Sequence, residues 1–341
     1  MSTSRPNARW AGRAAAALLG LVAAIAAASG SARDGGGFGA RTEVRAFVHQ
    51  MVARHGFVAS ELESVFARAR RVEEVLRAIA PGRDPRERSW RRYRDRFVNE
   101  ARIAEGLEFW NRHAAVLARA AAEHGVPEEI VVAILGVETL YGRNPGAWRV
   151  IDALATLAFD YPPRAAYFRS ELEEFLLFAR ERGLDVFGVR GSYAGAIGIP
   201  QFMPASYRRF AVDYDGDGTA DLLASAADAV GSVANFLRAH GWRRGEPVAL
   251  PAQVAGDAHR ALLGAGIEPR FAFGALAAYG VAAHASLPAD TPVALIELPT
   301  PGAPTEFRLG LANFYALTRY NRASFYAAAV QDLARELRAR R

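Results

Sequence analysis

The amino-acid sequence predicts a mainly α-helical protein of the α+β class, in which a helical body carries a small β-containing subdomain. Three observations lead there. Apolar residues recur at helical spacing in most segments from Thr42 to Gly241, the stretch Ile130–Val137 holds no polar side chain, and between about Pro247 and Phe307 the pattern changes to short apolar runs split by Pro and Gly.

Composition narrows the chemistry. The 341 residues are 51% hydrophobic, with 42 basic against 36 acidic side chains, seven histidines and no cysteine. That balance suits a globular chain of one large or two modest domains, and a mean hydropathy near zero excludes several membrane spans. Without cysteine there are no disulfides, thiol nucleophiles, thiolate zinc sites or iron–sulfur clusters. There is no lysine either, so a P-loop lysine and a Schiff-base lysine are both excluded.

In chain order, Arg5, Arg9 and Arg13 precede the apolar stretch Ala14–Ala28, and small residues follow to Ala32. This layout predicts a signal peptide over 1–32, since the run falls short of the ~20 apolar residues of a spanning helix; an uncleaved anchor is the alternative. Cleavage after Ala32 removes three arginines and no acid, so the net charge falls from +6 to +3. Charge alone does not choose a partner, but export and the even mixing of Asp and Glu favour an anionic extracytoplasmic polymer over nucleic acid. The glycine-rich residues 33–41 read as a flexible linker.

Short helices are expected from Thr42 to about Ala80, on the spacing of Val44, Phe47, Val48 and Met51 and of Leu62, Val65 and Phe66, with Ser60 as an N-cap. Pro81, Gly82 and Pro85 interrupt the pattern. After Trp90, Tyr93 and Phe97, one long helical pattern runs through Ile103, Leu107, Trp110 and Leu117. Gly125 and Pro127 give a stop and a restart, Glu128 and Glu129 suit the positive end of the next helix dipole, and Ile130–Val137 should be buried on all sides. Ala165–Ala179, Ala226–Ala239 (stopped by Gly241) and Ala323–Arg338 read as further helices, and the run Val293–Leu298 as a strand.

Three groups of residues carry chemistry. Glu138 ends the wholly apolar helix, with Ile134 and Leu135 one turn back and Tyr141 one turn ahead. Burial without a cation raises a carboxyl's pKa and makes a proton donor near neutral pH; escape to solvent or pairing with Arg143 is the alternative. The stretch Gly188–Tyr207 surrounds Ser192, Tyr193, Gln201 and Tyr207 with glycines, which let backbone approach a sugar chain, or else form a turn-rich connector. Asp213, Asp215, Asp217, Gly218 and Asp221 match the first nine positions of an EF-hand-type calcium loop. Position twelve is Ala224, so Asp228 is the expected closing ligand; a solvated acidic turn is the other reading. A calcium ion there would be structural, because the loop offers no nucleophile or base. There is no H-E-x-x-H, and Arg190 breaks the G-x-S-x-G frame around Ser192.

The segments GVETLYGR (136–143), IDALATLAFDYP (151–162), GSYAGAIGIPQFMPASY (191–207), VGSVANFLRAHGW (230–242) and NFYALTRYN (313–321) together resemble the lytic murein transglycosylase B family. The resemblance runs from about Phe47 to the C-terminus and implies a goose-lysozyme-like core. It implies a catalytic region over 42–341: an α domain at 42–120, the lysozyme-like core at 121–245 with the loop 213–228, the β-containing subdomain at 246–308 and a cleft segment and helix at 309–341. It also implies cleavage of the MurNAc–GlcNAc β-1,4 bond of peptidoglycan without water, leaving a 1,6-anhydro end, with Glu138 as acid and then base. A lysozyme-type hydrolase and a non-catalytic wall-binding protein are the rival functions.

By motif position, Ser192, Gln201, Tyr315, Tyr320, Asn321, Arg164 and Tyr93 would contact substrate, and Asp213, Asp215, Asp217, Thr219 and Asp228 would hold a structural calcium ion. No cofactor is expected for the chemistry. Pro163 stands where relatives often carry an arginine before Arg164, and no lipid-attachment cysteine is present. A soluble periplasmic form follows, with glycan strands and cell-wall synthesis proteins as candidate partners and no membrane insertion after cleavage.

Overall fold

The computed structural model describes residues 37–80, 88–283 and 287–341. The expected signal peptide, residues 33–36 and the Pro81–Pro85 break lie outside the described residues. The described end of the expected linker is packed chain. Phe38–Ala40 forms a 3-10 turn, the Phe38 ring is buried 5.8 Å from Phe159, and Arg41 pairs with Asp160 at 2.7 Å. Gly37 serves close approach here, since a Cβ on it would meet the Ala67 carbonyl oxygen at 2.8 Å.

Helices α1 (Thr42–His55), α2 (Ala59–Arg68) and α3 (Glu73–Ile79) follow. Ser60 is not the cap: α2 starts one residue earlier, and its cap position is Val58, which has no side chain to accept an N–H. This first group docks on a distant helical pair, α8 (Val150–Asp160) and α9 (Ala165–Arg182). The Arg70 N–H donates to Asp152 at 2.9 Å, the Val72 N–H to the Thr156 hydroxyl at 3.0 Å, and His55 meets Glu173 at 2.7 Å.

α4 (Trp90–Phe97), α5 (Glu100–Arg112) and α6 (Ala114–His124) pack elsewhere, around α7 (Glu128–Thr139) and α14 (Ser324–Ala339). The stretch 42–120 is therefore shared between two sets of neighbours within one continuous core. The pattern expected as one helix through Leu117 breaks at His113, whose φ of −112° is non-helical. Gly125 caps α6 at φ 74°, Pro127 takes the N-cap of α7, and every residue from Ile130 to Val137 is buried. α7 meets α5, α6, α14 and α11 (Ala226–Ala239), so an apolar surface all round is what its position demands.

β1 (Trp148–Arg149) pairs with β2 (Arg190–Gly191), and α10 (Pro204–Phe210) lies against α9. The larger sheet is antiparallel in the order β4-β6-β7-β3-β5, from β3 (Ala249–Val254), β4 (Phe271–Ala272), β5 (Val281–Ala282), β6 (Pro292–Leu298) and β7 (Glu306–Gly310). Its outer face shares a separate small core with α12 (Arg260–Gly264), built on Leu262, Leu276, Val293, Leu295 and Leu309. Its inner face sends Ala294, Ile296 and Leu298 into the main core. Burial on both faces is why β6 is apolar from Val293 to Ile296, with the exposed Glu297 interrupting the run before Leu298. α13 (Ala312–Tyr320) then brings the chain back toward α7 and into α14. No helix among the described residues is long and apolar enough to cross a membrane.

Candidate active site

The site is built on the C-terminal end of α7. Past Thr139 the chain turns through three left-handed residues, Leu140, Tyr141 and Gly142, with φ of 52°, 58° and 90°. The turn is held by the Leu140 N–H donating to Gly136 O at 3.2 Å and the Tyr141 N–H to Leu135 O at 3.1 Å. It folds the Tyr141 ring back between α5 and α7, where its hydroxyl donates to Arg102 O at 2.9 Å. Gly136 leaves room for that phenol: a Cβ there would lie 2.5 Å from the Tyr141 oxygen. Two non-glycine residues in the left-handed region store backbone strain at the point where Glu138 leaves the helix.

Glu138 keeps a partial opening to solvent, and its surroundings are aromatic. Burial pushes up the phenol pKa values of Tyr93 of α4, Tyr320 at the end of α13 and Tyr326 of α14, and the nearby Glu138 carboxylate adds to the rise, so the three remain neutral. Burial raises the Glu138 pKa to about 7, and the Tyr326 hydroxyl, which favours the charged form, opposes that rise only in part. Tyr326 is 1% exposed, and its hydroxyl approaches the carboxyl short of full hydrogen-bond geometry and has no other acceptor or donor among the described residues. Arg143 does not neutralise Glu138; it pairs with Glu105 at 2.9 Å.

The glycine-rich loop lies alongside. The Thr139 hydroxyl donates to Ile199 O at 2.7 Å and accepts from the Gly142 N–H at 2.9 Å, and the Tyr320 hydroxyl donates to Pro200 O at 2.5 Å. Gln201 is held at φ 53°, with its amide nitrogen donating to Pro145 O at 2.8 Å and Gly198 O at 3.0 Å. Both amide N–H groups are thereby used, and the side-chain oxygen is left as an acceptor. Ser192 closes a turn by accepting from the Ala196 N–H at 3.0 Å, which leaves its own hydroxyl proton for another acceptor. This is a protonated carboxyl among neutral phenols, beside a rigid strip of backbone.

A family model for the transglycosylase SLT domain matches residues 39–335. The chain belongs to this family. Membrane-bound lytic murein transglycosylase B of Escherichia coli (strain K12) is 40% identical over 308 residues, 88% of this chain and 83% of that protein. The catenated lytic transglycosylase SltB1 of Pseudomonas aeruginosa is 45% identical, with a TM-score of 0.83 over 89% of this chain and 100% of its own. Lytic transglycosylase Slt35 of E. coli, in complex with calcium, is 40% identical, with a TM-score of 0.79 over 90% of this chain and 96% of that one. The resemblance read from the five motifs is borne out, as is the mainly α, lysozyme-like fold, and the protein is an enzyme of the lytic transglycosylase class.

Within that family fold, the residues expected to contact substrate take three positions. Tyr93 and Tyr320 face Glu138, and Ser192 and Gln201 are fixed in the adjoining loop. Asn321 follows Tyr320, and its side-chain oxygen is buried without a donor among the described residues. Tyr315 and Arg164 take part in cation–π contacts: the Arg319 guanidinium covers the Tyr315 ring at 4.1 Å, and Arg164 covers Tyr167 at 4.4 Å. Two positioning residues escaped the sequence reading, Thr139 and Tyr326. The one available signal for Tyr326 was a phenol set just before Ala327, Ala328 and Ala329 on a small-residue helix face. Hollows of about 400 Å³ beside Trp90 and about 430 Å³ at the start of α7 both lie off this residue set.

The aspartate loop is ordered by its own backbone. Side-chain oxygens of Asp213, Asp215 and Asp217 all lie within 4.8 Å of one another on the surface. Asp213 accepts from the Gly216 and Gly218 N–H groups at 2.7 and 2.8 Å, and Asp217 from the Thr219 N–H at 2.8 Å. Asp228, the expected closing ligand, anchors the loop from within. It is 0% exposed and stands outside the three-carboxylate group, accepting from the N–H groups of Tyr214, Asp215 and Asp221 at 2.6, 3.2 and 2.6 Å. Three charge-assisted bonds make it the anchor of the loop.

Proposed function

We propose that Glu138 acts alone as acid and base in cutting the MurNAc–GlcNAc β-1,4 bond of peptidoglycan without water. The observation that carries this reading is a carboxyl held protonated up to about pH 7 by burial, with no second carboxylate or guanidinium among the groups that shift it. Hydrolytic glycosidases place a second carboxylate ~5–9.5 Å away to attack or to activate water. Here Glu138 gives its proton to the glycosidic oxygen as the C1–O bond breaks, and the GlcNAc side leaves with a hydroxyl. The substrate's acetamido group stabilises the cation at C1. The Glu138 carboxylate then removes the proton of the C6 hydroxyl, O6 bonds to C1, and a 1,6-anhydro end results with the enzyme back in its starting state.

Ser192, Gln201, Asn321 and Tyr93 would hold the reacting sugars through hydroxyls and amide oxygens, Tyr320 would shape the floor, and Tyr315 and Arg164 would line the outer cleft. The acidic loop would hold one structural calcium ion on Asp213, Asp215, Asp217 and the Thr219 carbonyl. Three surface carboxylates within 4.8 Å are a hard-oxygen donor set whose mutual repulsion a divalent cation relieves. Work on the cell wall goes with export to the periplasm.

Digestion of purified sacculi followed by mass spectrometry tests the reading. Muropeptides lighter by one water than hydrolytic products are expected, and ordinary reducing ends would refute it.

A further inference from the structure

Behind the aromatic wall that covers Glu138 lies a buried ionic knot. Arg308 of β7 is 6% exposed and Asp332 of α14 is 3% exposed, and their side chains meet twice, at 2.9 and 3.1 Å. Arg308 also donates to Glu306 at 2.6 Å and to Gln331 at 3.1 Å, and Gln331 in turn donates to Ala249 O of β3 at 2.8 Å. Arg94 of α4 reaches the same Asp332 at 2.8 Å, and the Trp90 indole N–H of α4 donates to Glu306 at 2.9 Å. At the edge of the knot Arg335 lies 3.9 Å from Asp332 and Glu336 4.0 Å from Arg94, so three guanidinium groups balance three carboxylates.

The helices tied here are two of the three that carry phenols to Glu138, the third being α13 with Tyr320. Tyr93 is the neighbour of Arg94 on α4, and Tyr326 stands on α14 less than two turns before Asp332. Phe325 locks the two helices on the cleft side, 5.6 Å from both Trp90 and Tyr93. Among the described residues, the third phenol facing the carboxyl is Tyr320, which is held independently by Pro200. A slip of α4 or α14 on the sheet opens the wall at Tyr93 or Tyr326 and admits water to the carboxyl.

We propose that the Arg308–Asp332 pair is a positioning device for the reaction, fixing α4 and α14 on the sheet so that Tyr93 and Tyr326 stay closed over Glu138. This inference rests on the reading of Glu138 as the proton donor. An ordinary salt bridge would add rigidity anywhere in the fold; this one sets the water content of the catalytic pocket.

The test is the pH–rate profile of two variants of the full mature protein on sacculi, with thermal melts alongside. Arg308→Lys keeps the charge and loses the fork that meets Asp332 twice. Arg308→Met combined with Asp332→Leu removes both charges together, so neither is left buried alone. Both are expected to melt cooperatively, hold KM within about twofold, lose about tenfold in kcat, and move the alkaline limb of kcat down by about one pH unit as water re-enters. Unchanged limbs in folded variants overturn the proposal and leave the knot a purely structural feature. Should the double variant not fold, Arg308→Lys decides by the same limb. Glu138→Gln run in parallel separates the two readings: an active Glu138→Gln refutes the role of Glu138, whereas an inactive one beside an unmoved Arg308→Lys limb refutes only the device.

Discussion

The Thr139 hydroxyl donates to the carbonyl oxygen of Ile199 at 2.7 Å, tying the residue after Glu138 to the middle of the glycine-rich loop. Thr139 is 1% exposed and also accepts from Gly142, so one side chain holds both the left-handed turn and the loop. Thr139→Val keeps the shape and deletes the hydroxyl. It is expected to cost about 1–3 kcal/mol, the range for a buried carbonyl and N–H left without their partner. Because Gln201 and Ser192 are carried by the same loop, kcat should fall more than KM rises. Urea denaturation and steady-state kinetics check both halves, and an equal loss in the two constants would place the bond outside the alignment of the site.

Glu138 trades stability for function. Its folded pKa of about 7 lies above the ordinary 4.5, so between those values the folded protein keeps a proton that the unfolded chain has released. The site therefore costs nothing below about pH 4.5, and stability is lost as pH rises through about 7. Glu138→Gln removes the titration. Allowing for the partial solvent opening, the variant should gain roughly 1–3 kcal/mol on the wild type between about pH 5 and about pH 8, while turnover falls by about 10²–10⁴. Parallel denaturation series at the two pH values test the first claim, and muropeptide release tests the second.

What the sequence disclosed and what it hid follow one physical line. Glu138 was legible because its cause is local: an acidic residue at the end of eight apolar ones has nowhere polar to go within its own helix. The α7 restart was legible for the same reason, from Gly125 and Pro127. The break at His113 was not, since no glycine or proline marks it and the apolar period continues across it. Tyr326 was hidden because its relation to Glu138 exists only once α14 packs on α7, and nothing near Tyr326 in sequence points there. The buried turn at Phe38 failed differently: glycines 37 and 39 looked like flexibility, and Gly37 serves contact with Ala67.

Tyr326 acts on Glu138 in the opposite sense to burial, because its hydroxyl favours the carboxylate. Tyr326→Phe removes that influence and leaves the ring's bulk. The Glu138 pKa should rise, carrying the alkaline limb of the pH–rate profile upward by up to about one unit, with a modest loss in kcat. The direction is opposite to that expected when the wall opens, so the two effects are distinguishable in one assay. A downward or absent shift would show that the hydroxyl does not act on the carboxyl.

The loop of Asp213, Asp215 and Asp217 and its anchor Asp228 answer differently to calcium. Adding calcium to the chelated protein should raise the melting temperature, as a ligand bound only by the folded state requires. Asp215→Asn weakens that rise and leaves the chelated protein nearly unchanged, because Asp215 is exposed and its loss relieves repulsion among the three carboxylates. Asp228→Ala removes the acceptor of three backbone N–H groups, two of them at 2.6 Å, so it should lower the melting temperature even in chelator, by the equivalent of about 2–4 kcal/mol. Calorimetry of both variants with and without calcium separates the roles. A chelated Asp228→Ala protein as stable as the wild type would return Asp228 to the coordination shell. Neither substitution touches Glu138, so kcat at a temperature where all forms are folded should stay within about twofold of the wild type.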